Sequence, residues 1–491
     1  MKEKVAVIGM GISGAGVLLA YEKELPHYPD CQIELDCYDA PESFGKGVPF
    51  RETSPYALNN VRSPQISYDY EHEQDFAAWL SSQGKEAEHY AKRSVYGEYM
   101  EERSQELIET LGANVYHTRI TMLEWLPSKQ KWRLTSERPE KGPQKEILYD
   151  RVHLCCGELP SRDFYRLEEE PHYVHEAYPL EALPKEIKAT DHVAIIGMGL
   201  AAIDVLRHLQ RKIKPAKIVM FSNENHFPAV RGYDEREVEF NFLTLDLINA
   251  MIEAQEGSFT VDNFKQLLDQ ELGFYGLSFE RIKEKYYSEG IAGIRATISD
   301  PEEVGLIQAV LEEAVVVLSD GWVAMSESER ERFAAEYQKM LVTFANPMPV
   351  DSANELLDGD EVGWLKVLKG VKDIETLSGS QQLRLVTDTG SVEVDWVINA
   401  TGMDMSLKGL AKDSLLSDLL DQRYVMVDTA GGFSMNYATS NVISPRYGEW
   451  STLHAHGVLV NGVVYQNNSV FKIQRSAHRL VKRLLAEASI R

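Results

Sequence analysis

"VAVIGMGISG" (5–14) and "VAIIGMGLAA" (193–202) are near-identical decapeptides within one chain. Each opens on an apolar, β-like run, Val5–Ile8 and Val193–Ile196. Each then turns through glycines into a helical pattern, "AGVLLAYEKEL" and "IDVLRHLQRKI". Strand, glycine turn and helix together are the context that gives G-x-G-x-x-G/A its meaning. Gly9 and Gly197 permit the tight turn. Gly11 and Gly199 let the backbone approach a pyrophosphate, and Gly14 and Ala202 let the helix pack against its strand. The first helical turns, Ile12 and Ser13 in one copy and Leu200 and Ala201 in the other, offer free N–H groups and a positive dipole end to that anion. The alternative for each copy is a glycine turn of an α/β sheet that binds nothing. The fold class expected is α/β, with two Rossmann-like dinucleotide-binding domains.

A second repetition supports this. "DRVHLCCG" (150–157) corresponds to "DWVINATG" (395–402), and short alternating strands precede both. Each nucleotide-binding opening is therefore expected to be closed by a small β meander that leads back into the parallel sheet, ending at Gly157 and at Thr401–Gly402. One domain is nested in the other: residues 1–188 and 395–491 form the first, and 189–233 with 345–394 the second. Residues 234–344 are rich in helical periodicity, as in "VDNFKQLLDQEL" and "EEVGLIQAVLEEAVVVL", and read as a helical insertion. "ANPMPVDSANELLDGDEVG" (345–363) reads as the linker back to the sheet. "VFKIQRSAHRLVKRLLAEA" reads as an amphipathic helix.

Composition narrows the function. The 491 residues, 44% apolar and 26% charged, suit two or three globular domains. Seventy-six acidic against 51 basic residues give a net charge of −25, spread along the chain. Such a surface repels nucleic-acid phosphates and anionic membranes, which leaves a small molecule as the expected partner. Cys31, Cys37, Cys155 and Cys156 form no C-x-x-C or zinc pattern, so no metal is expected. Few cysteines, no signal-like opening in "MKEKVAVIGMG" and no long apolar run place the protein in the cytoplasm. Oligomeric state is not indicated.

The strand "IELDCYD" follows the first glycine helix, and Asp39 at its end is placed to accept hydrogen bonds from ribose hydroxyls. A long loop punctuated by glycine and proline then begins. From here the chain resembles the FAD–NAD(P)-binding proteins related to N-hydroxylating and Baeyer–Villiger flavin monooxygenases. The resemblance rests on "GKGVPF" (45–50), "LNNVRS" (58–63), Arg93 with "YGEYM" (96–100), "GMGLAAID" (197–204) and "DWVINATG". It covers most of the chain outside the helical insertion.

The resemblance implies that the first site binds FAD, with Gly9, Gly11, Gly14 and Asp39 on its ADP half. Lys46 and Asn60 would lie near the pyrophosphate or the flavin. Gly457 would pass close to the cofactor, and "YQNNSVFKIQRSAHRL", with Asn467 and Asn468, would set a helix N-terminus at the flavin edge. The second site would take NADH or NADPH. The family carries an Arg after the next strand, where this chain has "SNENHFP" (222–228). Ser222, Asn223 and Glu224 lack that positive charge, which favours NADH. A second site that no longer binds nucleotide is the alternative.

Cys155 and Cys156 stand where the family has Ala-Thr, and read as small packed residues rather than a redox pair. His454 and His456 are the catalytic candidates near the flavin, against a packing role. The activity implied is a single-component NAD(P)H-dependent monooxygenase acting on a small amine, amino-acid-like or carbonyl substrate through a C4a-(hydro)peroxyflavin. A flavin reductase or dehydrogenase, or a non-catalytic FAD scaffold or sensor, are the alternatives.

Overall fold

The computed structural model describes residues 2–51, 54–85, 89–137, 147–157, 159–233, 238–377, 379–467 and 469–490. The chain divides into two compact units. One comprises Met1–Glu52, Val61–Pro160 and Asp404–Arg491; the other comprises Thr53–Asn60 and Ser161–Met403.

The first unit is built on a seven-stranded sheet. Its order is Met435–Asn436, Asn441–Ser444, Gly448–Ala455, Arg151–Leu154, Lys2–Ile8, Gln32–Asp39 and Asn114–His117. The two pairings at the Met435 edge are antiparallel and the rest parallel. Parallel strands buried on both faces read as continuous apolar runs, and Val5, Ala6 and Val7 are indeed 0% exposed. Helix Ile12–Glu24 lacks a polar stripe because it is enclosed; Gly14 through Tyr21 are all buried. It shares a core cluster with Met100 and Leu107 of helix Arg93–Leu111 and with Ala477, Val481 and Leu485 of helix Val470–Ile490.

The second unit carries a wholly parallel five-stranded sheet, in the order Leu365–Val367, Lys217–Phe221, His192–Ile196, Trp396–Asn399 and Tyr173–Val174. Each unit also has a three-stranded antiparallel meander: Ile120–Leu126, Lys131–Ser136 and Leu148–Tyr149 in the first, and Val371–Thr376, Leu383–Thr387 and Gly390–Val394 in the second. Each meander feeds the strand at its repeated motif, Arg151–Leu154 or Trp396–Asn399, as the repetition implied.

Two boundaries differ from the sequence reading. Residues 53–60, 161–188 and 395–403, expected in the first domain, lie in the second unit. The cause is the hydrogen-bond ladder. Trp396–Asn399 pairs with His192–Ile196 on one side and with Tyr173–Val174 on the other. Residues 345–363, read as a linker, instead contain helix Val350–Val362, entered through Pro349 and ended by Gly363 at φ +90°. Proline before a helix and glycine after it mark the helix's ends.

The helical run extends from Leu245 to Val362. Its entry is pinned by Glu271, fully buried, whose carboxylate accepts the N–H groups of Asn241, Phe242 and Leu243 at 2.7–3.3 Å. Among the described residues no helix is long and apolar enough to cross a membrane, and no group of three His, Cys, Asp or Glu could hold a metal ion.

Candidate functional site

The first glycine turn is tightly enclosed. The Gly9 N–H donates to the Tyr38 carbonyl at 2.8 Å, and Cys155 N–H donates to Ile8 at 2.7 Å. Gly9 sits at φ +95°, and a Cβ there would stand 2.6 Å from the Cys155 carbonyl. A Cβ on Gly14 would meet the Gly9 oxygen at 2.1 Å, so the helix rests directly on the turn. The Cα of Gly47 would stand 3.1 Å from a Cβ on Gly11, so the "GKGVPF" loop lies over the turn, glycine against glycine. Gly457, at φ +64°, crosses the first helical turn: a Cβ there would be 2.2 Å from Ser13 Oγ. Gly157 faces Val458 at 3.1 Å in the same sense. Ile12 packs, half-buried, against the core beneath.

Asp39 closes this turn from the side. Its Oδ2 accepts the Met10 N–H at 2.7 Å, and its Oδ1 accepts the Ala40 N–H at 2.7 Å and Ser43 Oγ at 3.0 Å. Burial raises its carboxyl above the usual range, partly offset by those N–H donors. Asn467 donates from Nδ2 to the Gly457 carbonyl at 3.0 Å. Its Oδ1 is buried and meets no donor among the described residues. A buried acceptor without a donor costs free energy, and a flavin ring N–H is the kind of donor that would satisfy it. The residues present therefore fit the cofactor.

Other expected residues fall differently. Lys46 pairs with Glu101 of helix Arg93–Leu111 at 2.8 Å. Asn60 belongs to the second unit, where its carbonyl accepts from Arg231 at 3.2 Å. Asn468 lies outside the described residues.

The second turn repeats the backbone pattern. Gly197 N–H donates to Phe221 at 2.8 Å, and Ala400 N–H donates to Ile196 at 2.8 Å. Gly197 has φ +121°, and a Cβ there would meet the Ala400 oxygen at 2.5 Å. Ala202 is fully buried against the turn, while Leu200 and Ala201 are half-buried at the first helical turn. Gly199, however, is exposed, and a Cβ there would meet nothing within 4 Å among the described residues. Thr401 Oγ1 donates to Asn399 Oδ1 at 2.8 Å and braces the turn into Gly402, at φ +87°.

Beyond strand Lys217–Phe221 the chain is fixed by two reciprocal bonds, Ser222 N–H to Asn225 Oδ1 and Asn225 N–H to Ser222 Oγ, both 2.9 Å. Asn223 and Glu224 at this bend line a cavity of about 340 Å³ together with His226 and residues of the helical run. His226 stacks on Tyr287 with centroids 3.9 Å apart and planes 5° from parallel.

His454 and His456, the catalytic candidates, belong to a buried polar chain that sequence reasoning left incomplete. His153 Nδ1 lies 2.9 Å from His456 Nε2, and His153 Nε2 lies 3.3 Å from the Tyr21 hydroxyl. Arg151 donates to His454 Nε2 at 2.8 Å, and His454 Nδ1 donates to the Ser440 carbonyl at 3.2 Å. That pattern leaves His454 neutral, because an Nε2 that accepts carries no proton. Burial lowers all three histidines, His456 to about 4. Their geometry is that of packed core groups. His153 was legible in principle: "DRVHL" and "LHAH" are neighbouring strands with His153 opposite His454. Burial likewise pushes both adjacent thiols up, Cys156 to about 12, so neither is a thiolate at neutral pH.

Residues 6–159 match the FAD-NAD(P)-binding family. No curated protein sequence matches the chain. Among solved structures it is similar to the reduced form of ornithine hydroxylase from Pseudomonas aeruginosa, with a TM-score of 0.59, 13% identity, and coverage of 99% of this chain and 100% of that one. Ornithine N-hydroxylase from Kutzneria sp. 744, with reduced FAD, NADP+ and L-ornithine, gives 0.59 at 12% identity over 99% and 100% of the chains. The FAD-bound cadaverine monooxygenase of desferrioxamine biosynthesis from Erwinia amylovora gives 0.58 at 11% identity over 99% and 94%. The chain shares their fold over essentially its full length.

Proposed function

We propose that the protein is a flavin-dependent monooxygenase that holds FAD on the first glycine turn and receives a nicotinamide nucleotide on the second. The observation that carries this reading is the pair of glycine turns between parallel strands of two sheets, in a chain sharing its fold with N-hydroxylating enzymes over 99% of its length. Bound FAD would accept hydride and activate oxygen. The chain's own residues do the rest. N–H groups at Gly11, Ile12 and Ser13 would hold the pyrophosphate, Asp39 would take ribose hydroxyls, and Asn467 Oδ1 would accept from a flavin N–H. Gly457 and Gly157 let the chain pack closely, the one against Ser13 of the first helical turn and the other against Val458.

On the second turn Gly197, Gly199 and Ala202 admit the nucleotide backbone, with Leu200 and Ala201 at the helix entrance, Thr401–Gly402 beside it and Ser222–Asn223 at the ribose. Glu224 favours NADH, since a carboxylate accepts from a 2′-hydroxyl and repels a 2′-phosphate. The substrate is a small amine, amino-acid-like molecule or carbonyl compound.

The test is direct. Purified protein should be yellow and release FAD on denaturation. It should oxidise NADH and consume O₂ with an amino acid or diamine present, and yield a product one oxygen atom heavier. NADH oxidation without oxygen in the product would make it a reductase. A colourless protein that takes up no added FAD would sink the reading altogether.

A further inference from the structure

We propose that Lys339, a residue of the helical run, sets which nicotinamide nucleotide the second turn accepts, by fixing Glu224 at the adenosine 2′ position. The inference rests on reading that turn as a nucleotide site. In this fold the ribose 2′ group is read at the end of the next strand after the glycine turn and its helix. Here that strand is Lys217–Phe221, and the bend beyond it is rigid: Ser222 and Asn225 cap each other, and Gly290 N–H donates to the Asn225 carbonyl at 2.6 Å.

Glu224 is therefore held on a fixed backbone at the cavity wall, where its carboxylate ion-pairs with Lys339. Lys339 begins helix Lys339–Ala345, immediately after the π-helical turn Ala334–Gln338. Such wider turns are rare and recur at functional sites.

Charge decides between the two nucleotides. Of the carboxylates around the cavity, Glu289 is paired with Lys369 at 2.6 Å and Glu336 with Arg332 at 2.8 Å, whereas the partner of Glu224, Lys339, itself lines the cavity. A 2′-phosphate would bring about two negative charges up to the Glu224 carboxylate; a 2′-hydroxyl brings none and donates to Glu224. Lys339 aims the carboxylate while it is paired. If Glu224 loses its charge, Lys339 is released and the same lysine becomes a phosphate ligand. One residue thus supports NADH in one state and NADPH in the other.

Calorimetric titration of the full FAD-containing chain with NAD+ and with NADP+ tests this. Wild type should bind NAD+ more tightly. Glu224→Gln should shift the NADP+ to NAD+ affinity ratio by roughly tenfold or more towards NADP+, the scale of one charge interaction at a surface cavity. Lys339→Met alone should weaken NAD+, and in the Glu224→Gln background should remove the NADP+ gain, so the two substitutions do not add. Both side chains are substantially exposed, at 40% and 56%, so melting temperatures should hold and report folding separately. An unchanged ratio in Glu224→Gln, or an equal Lys339→Met effect in both backgrounds, overturns the proposal while leaving the nucleotide site standing. A wild type that binds neither nucleotide overturns the reading of the second turn itself, and the proposal with it.

Discussion

The two glycine turns are the same backbone object with different surroundings. Both pass an N–H to the neighbouring strand at 2.8 Å and both start a helix on an extended glycine. The first is roofed by Gly47 and crossed by Gly457, and its third glycine leaves no room for a methyl group. The second accepts alanine in that place, and Gly199 looks onto open space among the described residues. The decapeptide thus specifies the turn, while distant segments specify how a ligand would be held there: enclosed on one sheet, accessible on the other.

A substitution at the third position should separate the turns most sharply. Gly14→Val drives atoms into the Gly9 carbonyl and should destabilise the first unit by about 3 kcal/mol or more, with loss of FAD, as seen in urea unfolding and bound-flavin content. Ala202→Gly should cost only about 1 kcal/mol, the helix-propensity difference. Equal effects would mean that the crowding at Gly14 is unimportant.

Acid should separate the sheets next. In the repeated motifs His153 corresponds to Ile398, so the first sheet buries histidine where the second buries an aliphatic side chain. Folded-state values below the ordinary 6.5 mean that the unfolded chain binds protons the folded one refuses. Stability is then full above about pH 6.5 and falls on acidification, by about 1.4 kcal/mol per pH unit for each histidine. For His456 the window runs from 6.5 down to about 4. Hydrogen exchange at pH 5 should show strand Arg151–Leu154 opening before Trp396–Asn399.

Gly199→Val should weaken NAD+ binding by roughly tenfold, about 1.4 kcal/mol, without changing melting temperature or FAD content, since a Cβ there meets nothing within 4 Å among the described residues. Gly11→Val, pressed against Gly47, should lower both. The smallest effect belongs to Lys46→Ala. Removing its ion pair with the exposed Glu101 should change stability by less than about 1 kcal/mol. Unaltered FAD content in that variant would show that Lys46 does not serve the pyrophosphate.

What the chain disclosed in advance was local. Strand, turn and helix at each decapeptide, the meander before each closing strand and the carboxylate at Asp39 follow from short-range patterns. The placement of Trp396–Asn399 and Tyr173–Val174 was hidden, because strand pairing is settled between residues hundreds apart. Helix Val350–Val362 was missed because the proline and glycine at its ends look like loop punctuation. The histidine chain escaped because a hydrogen bond between His153 and His456 has no signature along the sequence. The ion pair of Glu224 with Lys339 was invisible for the same reason: "SNENHFP" shows the acid but not the cation that arrives from a helix more than a hundred residues on.

The path of the chain also dictates an order of assembly. The unit around the second sheet is nearly continuous and has every one of its strands once residue 403 has left the ribosome. The other unit is assembled from three pieces. Helix Ile12–Glu24, buried from Gly14 to Tyr21, waits for helix Val470–Ile490 to cover it. Domains fold during synthesis as their segments emerge, so the half that begins the chain is the half that finishes last. Until then the apolar face that this helix turns to Val470–Ile490 lies open on the nascent protein, at a stage when chaperones have something to protect.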